Sequence, residues 1–325
     1  MARLSFTKMA DQIPTEADAY EYLEKLRWPS GTPTCPHCGH KGANFIRPRN
    51  GDHTTRTTSR GAQTARRLWQ CKGCRYQFSA MTGTIFHGSK ISLRTWLFVL
   101  FEMCASKNGM AAREIERKYG VAPKTAWFMA HRIREAMKRD APGSLIGTIV
   151  ADETWVGGEP KYRHRRPGEV ARRGSGTDKT PVVALIDAGT GEARSAVLPN
   201  VDSTTLRKAM LQADVDIDHS VLWTDEAAYY THLGRRFLAH ETVNHSEYEY
   251  VNDRGATTNL AEGYFAQFKR SLDGTHHHVS REHLPRYLTE FDFRYTTSAM
   301  SDERRMARLV GQAEGRRLSY KRVKG

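Results

Sequence analysis

The sequence predicts an α/β domain preceded by a small cysteine-built module and a helical region, and three observations carry that prediction. After a Pro142-Gly143 break, short β-branched runs alternate with helical stretches, the pattern of an α/β layer fold. Four of the five cysteines form two Cys-x-x-Cys pairs, Cys35–Cys38 and Cys71–Cys74. Between those pairs and the α/β region, Ile91 to Lys138 shows apolar residues at helical spacing.

In chain order, residues 1–30 read as an N-terminal helical segment and 31–88 as a zinc ribbon. Each Cys-x-x-Cys makes a tight knuckle, and two knuckles surround one tetrahedral metal, so Cys35, Cys38, Cys71 and Cys74 are the expected zinc ligands. Four closed ligands leave no open position, which makes this metal structural. Gly39 and Gly73 are expected to relax the knuckle backbones, with Trp69, Tyr76 and Phe78 as packing partners. The polar stretch Asn50 to Arg67 reads as a loop, His37 and His40 as solvated, and Cys104 as a core residue.

Residues 89–141 read as a helix-turn-helix. Ala112, Ile115 and Tyr119 share one helical face, Gly120 supplies a turn with positive φ, and Pro123 suits the first turn of a second helix. Ala126, Met129, Ile133 and Met137 would face inward. That arrangement puts Lys124 and Thr125 where base edges are reached and assigns Arg132 and Arg134 to phosphates.

The α/β domain is expected over 145–300. Its strands are read as Thr148–Trp155, Val182–Asp187, Ala193–Leu198, Val221–Thr224 and Thr242–Asn244; its helices as Ser203–Gln212, Asn259–Leu272 and Arg281–Tyr295. Residues 301–325 read as a basic tail.

The 325 residues hold 50 Lys and Arg against 36 Asp and Glu, a formal net charge of +14. Such a surplus favours a polyanionic partner. The most apolar run, Thr95 to Ala105, is too short to span a bilayer and contains Glu102, and the N-terminus lacks a signal-type apolar core. A cytoplasmic protein with thiols or metal-bound cysteines is the expectation.

Three acidic residues stand out by setting. Asp152 lies on a β-branched strand, Asp225 follows the apolar run Val-Leu-Trp-Thr, and Glu262 sits in the first turn of a helix. Carboxylates at the ends of buried strands are costly unless a cation or strong donors compensate them, and hard divalent ions take oxygen ligands of this kind. Asp187, in Ile-Asp-Ala-Gly-Thr-Gly, reads instead as a hairpin-turn aspartate.

The motifs Asp152-Glu153-Thr154-Trp155-Val156-Gly157-Gly158, Thr224-Asp225 and Thr258-Asn259-Leu260-Ala261-Glu262-Gly263-Tyr264-Phe265 continue into Lys269-Arg270, His277-His278-Val279-Ser280 and Glu290 to Tyr295. Over nearly the whole chain they resemble the insertion-sequence DDE transposases with an N-terminal zinc ribbon, the ISXO-type group. The resemblance implies an RNase H-like catalytic domain in which Asp152, Asp225 and Glu262 bind Mg²⁺ (or Mn²⁺) and catalyse DNA cleavage and strand transfer at terminal inverted repeats. Asn259, one turn before Glu262, is the alternative third ligand. Lys269 matches the lysine that follows the acidic residue in these enzymes, and with Arg270 it is assigned to DNA phosphates. DNA, as transposon ends and target, and a homodimer or larger assembly are the implied partners, with no membrane. The competing readings are a non-catalytic DNA-binding regulator derived from a transposase and a nuclease that cuts without joining. The basic stretch Lys161 to Arg173 reads as a loop ordering on DNA, His276 to His278 as DNA-facing or hydrogen-bonded, and Trp155 as a base-stacking or core residue.

Overall fold

The computed structural model describes residues 4–46, 55–57, 63–65, 67–139, 143–157, 179–244 and 251–318. They belong to two compact units: Met1–Lys138 with Met300–Gly325, and Arg139–Ala299. The stretch Lys161 to Arg173 lies outside the described residues.

The first unit begins with helices α1 (Phe6–Gln12) and α2 (Glu16–Arg27). A capping box starts α2: the Thr15 hydroxyl accepts from Asp18 N–H while the Asp18 carboxylate accepts from Thr15 N–H. Strand β1 (Ala43–Phe45) is followed by the antiparallel pair β2 (Thr55–Thr57) and β3 (Gln63–Ala65), then β4 (Trp69–Cys71) and β5 (Gln77–Phe78). The segment expected as a loop therefore contains a hairpin. β1, β4 and β5 form a three-stranded antiparallel sheet. Trp28 at the end of α2 meets Trp69 and Phe78 edge-on, and the half-hidden Trp69 also meets Phe45. Glu24 of α2, almost buried, accepts hydrogen bonds from Trp69 Nε1 and Arg67, so a carboxylate with three donors replaces water at this seam. Tyr76 was expected inside; it is exposed and stacks on His37 at 5.2 Å.

Helix α3 (Leu93–Ala105) is buried along most of its length, Cys104 included. Its first two amide groups, Leu93 and Arg94, donate to the Glu16 carboxylate, an anion at a helix N-terminus. Helices α4 (Ala112–Tyr119) and α5 (Pro123–Met137) follow, joined through Gly120 at φ +61° as the turn requires.

In the second unit, β6 (Thr148–Val156), β7 (Thr180–Asp187) and β8 (Ala193–Val197) form an antiparallel meander. α6 (Ser203–Gln212) leads to β9 (Val221–Asp225), which runs parallel to β6, and α7 (Ala228–Gly234) leads to β10 (Ala239–Val243), parallel to β9. The sheet order is β10-β9-β6-β7-β8. An antiparallel meander with two further parallel strands on its first member is the RNase H-like arrangement. α8 (Asn259–Ser271), a π-helical turn at Leu272–His276 and α9 (Leu284–Thr296) complete it. Side chains of α6 and α7 pack with Ile149, Ala151, Val183 and Leu222 on one face; those of α8 and α9 pack with Val150, Val182, Ala184 and Trp223 on the other. Asp187 closes the β7–β8 hairpin, accepting from Gly189 N–H and from the Thr190 amide and hydroxyl, as expected.

The strand expected at Thr242–Asn244 begins earlier, at Ala239, because Ala239 pairs with Val221. α7 was not expected. It is seven residues long and carries Tyr, Tyr and Thr, so its own propensity is weak and packing of Tyr230 and Leu233 holds it.

A buried network ties α9 to the sheet. Asp292 accepts from Tyr264 Oη at 2.7 Å, Ser195 Oγ at 2.8 Å and Ser195 N–H at 3.1 Å. Burial pushes its carboxyl up to about 6 against these opposing donors. Folding thus favours the protonated form, and the contribution is complete below about pH 4 and lost as pH rises through about 6. Relative to Asp292→Asn, wild-type stability is expected to fall by up to about 3 kcal/mol between pH 4 and 7. Urea unfolding of both proteins across that range checks it, and a difference independent of pH contradicts it.

The chain then returns to the first unit. Helix α10 (Asp302–Gly311), capped by Ser301, packs Met306, Leu309 and Val310 against α2, α3 and α5. Residues 301–325 were expected as a basic tail. This part of them is a docked helix, because its apolar side chains recur at i, i+3 and i+4 and find a core. Gly315 N–H donates to Gly83, and Arg316 to the Glu135 carbonyl.

Candidate functional site

The four cysteines converge. Their sulfur atoms all lie within 4.8 Å of one another, with Cys35–Cys74 and Cys38–Cys71 each 3.7 Å apart. A tetrahedron with Zn–S bonds of about 2.3 Å has sulfur–sulfur edges of about 3.8 Å, so these two edges match a zinc site and the four thiols are close enough to share one ion. Backbone amides of Cys74 and Gly73 donate to Cys71 Sγ and, the former foremost, bring its thiol down to about 6, favouring the thiolate a metal needs. The two knuckles are not built alike. Gly39 follows the first at φ +72°, but the equivalent residue of the second is Arg75 at φ +63°. Gly73 lies close to a neighbour instead: a Cβ there would be 3.2 Å from the exposed His40 ring, which would have to shift.

The acidic residues are positioned by strand register. Val150 of β6 pairs with Trp223 of β9, and two residues further along these parallel strands come Asp152 and Asp225. Side chains alternate along a strand, so both aspartates share the face of Val150 and Trp223, which is the face packed by α8. Both are half-buried. Asp152 Oδ1 accepts from Glu153 N–H at 2.8 Å, and Asp225 Oδ1 accepts from Ala227 N–H at 3.1 Å. Glu262 lies exposed in the first turn of α8, where its Oε1 accepts from the buried Thr258 hydroxyl at 3.0 Å. Asn259 is exposed at the first position of the same helix.

Among the described residues, the only His, Cys, Asp or Glu group with three or more ligand atoms within 4.8 Å of one another is the cysteine cluster. Strand register puts the two aspartates at the same level of neighbouring strands, but the three carboxylates do not close around a single point. A pair of ions about 3.5–4 Å apart does not require that closure, because each ion takes only some of the ligands.

Sequence reasoning missed Glu153. It points to the opposite face from Asp152, is 9% exposed, and accepts from the hydroxyls of Tyr229, at 3.0 Å, and Tyr230. Burial, opposed by the Tyr230 hydrogen bond and reinforced by the charges of Asp152 and Asp225, raises its carboxyl to about 7. Strand alternation carried the signal: two adjacent acids on a buried strand send one of them inward.

The basic residues divide. Lys124 is exposed and Thr125 half-buried in the first turn of α5. Arg132 and Arg134, expected to reach phosphates, are 6% and 2% exposed. Arg132 donates to the His87 carbonyl at 2.8 Å and lies over the Trp96 and Phe128 rings, so it braces the interior of its unit. The helical pattern did not reveal this because α5 is covered on more than one side. Lys269 and Arg270 are exposed on α8. Lys269, Lys179, Trp155, His277 and His278 line an open cleft of about 730 Å³. His276 instead packs edge-on against Tyr287, and His277 Nδ1 lies 2.9 Å from the Asp273 carbonyl. No helix among the described residues is long and apolar enough to cross a membrane.

Residues 144–296 match the ISXO2-like transposase domain, and residues 14–77 match the transposase zinc-ribbon domain. A protein of transposable element ISH50 from Halobacterium salinarum is 29% identical over 288 residues, covering 86% of this chain and 90% of that protein. A pre-cleavage Mos1 transpososome structure is similar at 14% identity, covering 66% of this chain and 78% of that one, with a TM-score of 0.26. The paired knuckles and the RNase H-like sheet that follows them in the sequence coincide with the two matched stretches: the chain carries a transposase zinc-ribbon domain and, after it, an ISXO2-like transposase domain.

Proposed function

We propose that this protein is a DNA transposase that binds the terminal inverted repeats of its insertion sequence and carries out metal-dependent strand cleavage and strand transfer. The observation that supports it most is the level placement of Asp152 and Asp225 on adjacent parallel strands, beneath the helix that carries Glu262. Two half-buried carboxylates side by side repel one another unless a cation lies between them, and their hard oxygen donors fit Mg²⁺ or Mn²⁺. Asp152 and Asp225 would hold the ions, with Glu262 rather than Asn259 as third ligand, since a carboxylate offsets metal charge and an amide does not. When bound, such ions activate the attacking oxygen and stabilise the leaving one in an in-line displacement at phosphorus.

The chain's own residues supply placement. Lys269 and Arg270 on α8 take DNA phosphates and hold the backbone across the acidic pair. Lys124 and Thr125 at the start of α5 reach base edges of the terminal repeat. The cysteine cluster binds zinc and keeps the ribbon folded. No tyrosine or serine nucleophile is required, because water and then a DNA 3′ hydroxyl attack in turn. Two ends joined in one reaction call for a homodimer or larger assembly, working on DNA in the cytoplasm.

A strand-transfer assay with labelled ends tests this reading. The expected products are ends with free 3′ hydroxyls and ends joined to a target duplex, both dependent on Mg²⁺ or Mn²⁺. Binding without cleavage would make the protein a regulator, and cleavage without joining a nuclease.

A further inference from the structure

The acidic pair has basic surface on its α8 side; a second basic groove lies on the opposite face of the same sheet. It runs between α6 and α7, has a volume of about 610 Å³, and is lined by Arg207, Lys208, His232 and Arg236 among others. Ser203–Gln212 and Ala228 to Leu238 contain no Asp or Glu. Arg207, Lys208, Arg235 and Arg236 are all exposed, and among the described residues none of them makes a side-chain hydrogen bond or ion pair. Several other cations of this unit are neutralised locally: Arg139 and Arg194 meet Glu192, and Arg254 meets Glu241. An unpaired cluster of one sign in a groove raises the local concentration of a polyanion and is not needed for folding.

The groove is also connected to the acidic pair. Ser203 Oγ donates to the Tyr229 carbonyl, which joins the first turns of α6 and α7. Tyr229 and Tyr230 hold Glu153, the chain neighbour of Asp152, and α7 begins three residues after Asp225. One end of the groove therefore adjoins the C-terminal ends of β6 and β9, on the side away from Lys269. Joining chemistry must present two DNA segments to one set of acids, and the phosphates of two duplexes repel unless separate cations hold them. We infer that the α6–α7 groove holds the backbone of the target duplex, while the α8 side holds the transposon end. The inference rests on the transposase reading above. Apolar exposure along the groove is confined to Leu211, which is too little for a stable protein interface and favours DNA over a protein partner.

The test uses the full chain with labelled ends, uncut to read cleavage and pre-cut to read transfer, with an unrelated duplex as target, and compares wild type with R207A/K208A/R236A. Expected for the variant are end cleavage within about twofold of wild type and strand transfer lowered about tenfold or more at sub-saturating target. The slope of log target affinity against log salt should fall by about 3, roughly one unit for each phosphate no longer neutralised. The charge-retaining variant R207K/R236K should keep most of the transfer. Unchanged capture and transfer across salt would overturn the inference. So would parallel loss of end binding and cleavage in a folded variant, which would assign the groove to the end DNA, or a change in assembly size by sedimentation, which would assign it to protein. If the wild type neither cleaves nor joins, the transposase reading fails by itself. Capture of the duplex, which needs no chemistry, still decides whether the groove binds DNA.

Discussion

Asp152→Asn is expected to lower strand cleavage by about a thousandfold or more while end-DNA affinity stays within about twofold. Asparagine keeps the shape of the side chain and can still accept from Glu153 N–H, the hydrogen bond Asp152 makes at 2.8 Å. It removes only the negative charge, which is the property that ion binding needs. DNA affinity in this reading comes from other groups, Lys124, Thr125, Lys269 and Arg270, so binding and chemistry should separate. Cleavage of a labelled end in Mg²⁺ and gel-shift affinity in the same buffer are the two measurements. Asp187→Asn is the control: that aspartate caps a hairpin, so its loss affects stability and leaves cleavage intact. Cleavage by Asp152→Asn at near wild-type rate would remove Asp152 from the active site.

Removing zinc is expected to have the other large effect. Structural zinc in small thiolate sites carries about 10–16 kcal/mol of apparent binding free energy, more than a module of short strands can replace by packing. Chelation, or Cys71→Ser, should unfold the sheet of β1, β4 and β5. The loss should spread to α2, because Glu24 and Trp28 are held against Trp69 and Phe78. The unit Arg139–Ala299 has its own two-sided core and should stay folded. Hydrogen exchange resolved by segment measures this: protection should vanish around the cysteines and α2 and persist in β6 and β7. Full protection of the ribbon after complete zinc removal would mean that its packing suffices.

Much of the architecture was legible in local sequence because it answers local constraints. Cys-x-x-Cys spacing makes a knuckle whatever surrounds it, and the paired knuckles brought four sulfur atoms within 4.8 Å of one another. Gly120 had to take positive φ for the α4–α5 turn, and does. The β-branched runs became strands within a few residues of their expected limits, and Ser203–Gln212 formed its helix as read. Asp152 and Asp225 could be picked out because an acid on an apolar strand is costly and therefore conspicuous. Helix α7 was less visible, since a seven-residue segment with two tyrosines has no pattern of its own and borrows its stability from the sheet.

Residue type and spacing along the chain were enough to reveal the four-cysteine cluster, the strand-borne aspartates and the likeness to zinc-ribbon transposases. Which sides are covered became visible once the elements were packed together. Packing drew Arg132 and Arg134 inward, docked α10 where a tail was expected, turned Glu153 toward two tyrosines, and left Arg207, Lys208 and Arg236 unpaired among the described residues. The reason is physical: burial and charge pairing depend on which distant surface packs against a residue, and periodicity along one segment specifies a face but not what will meet it.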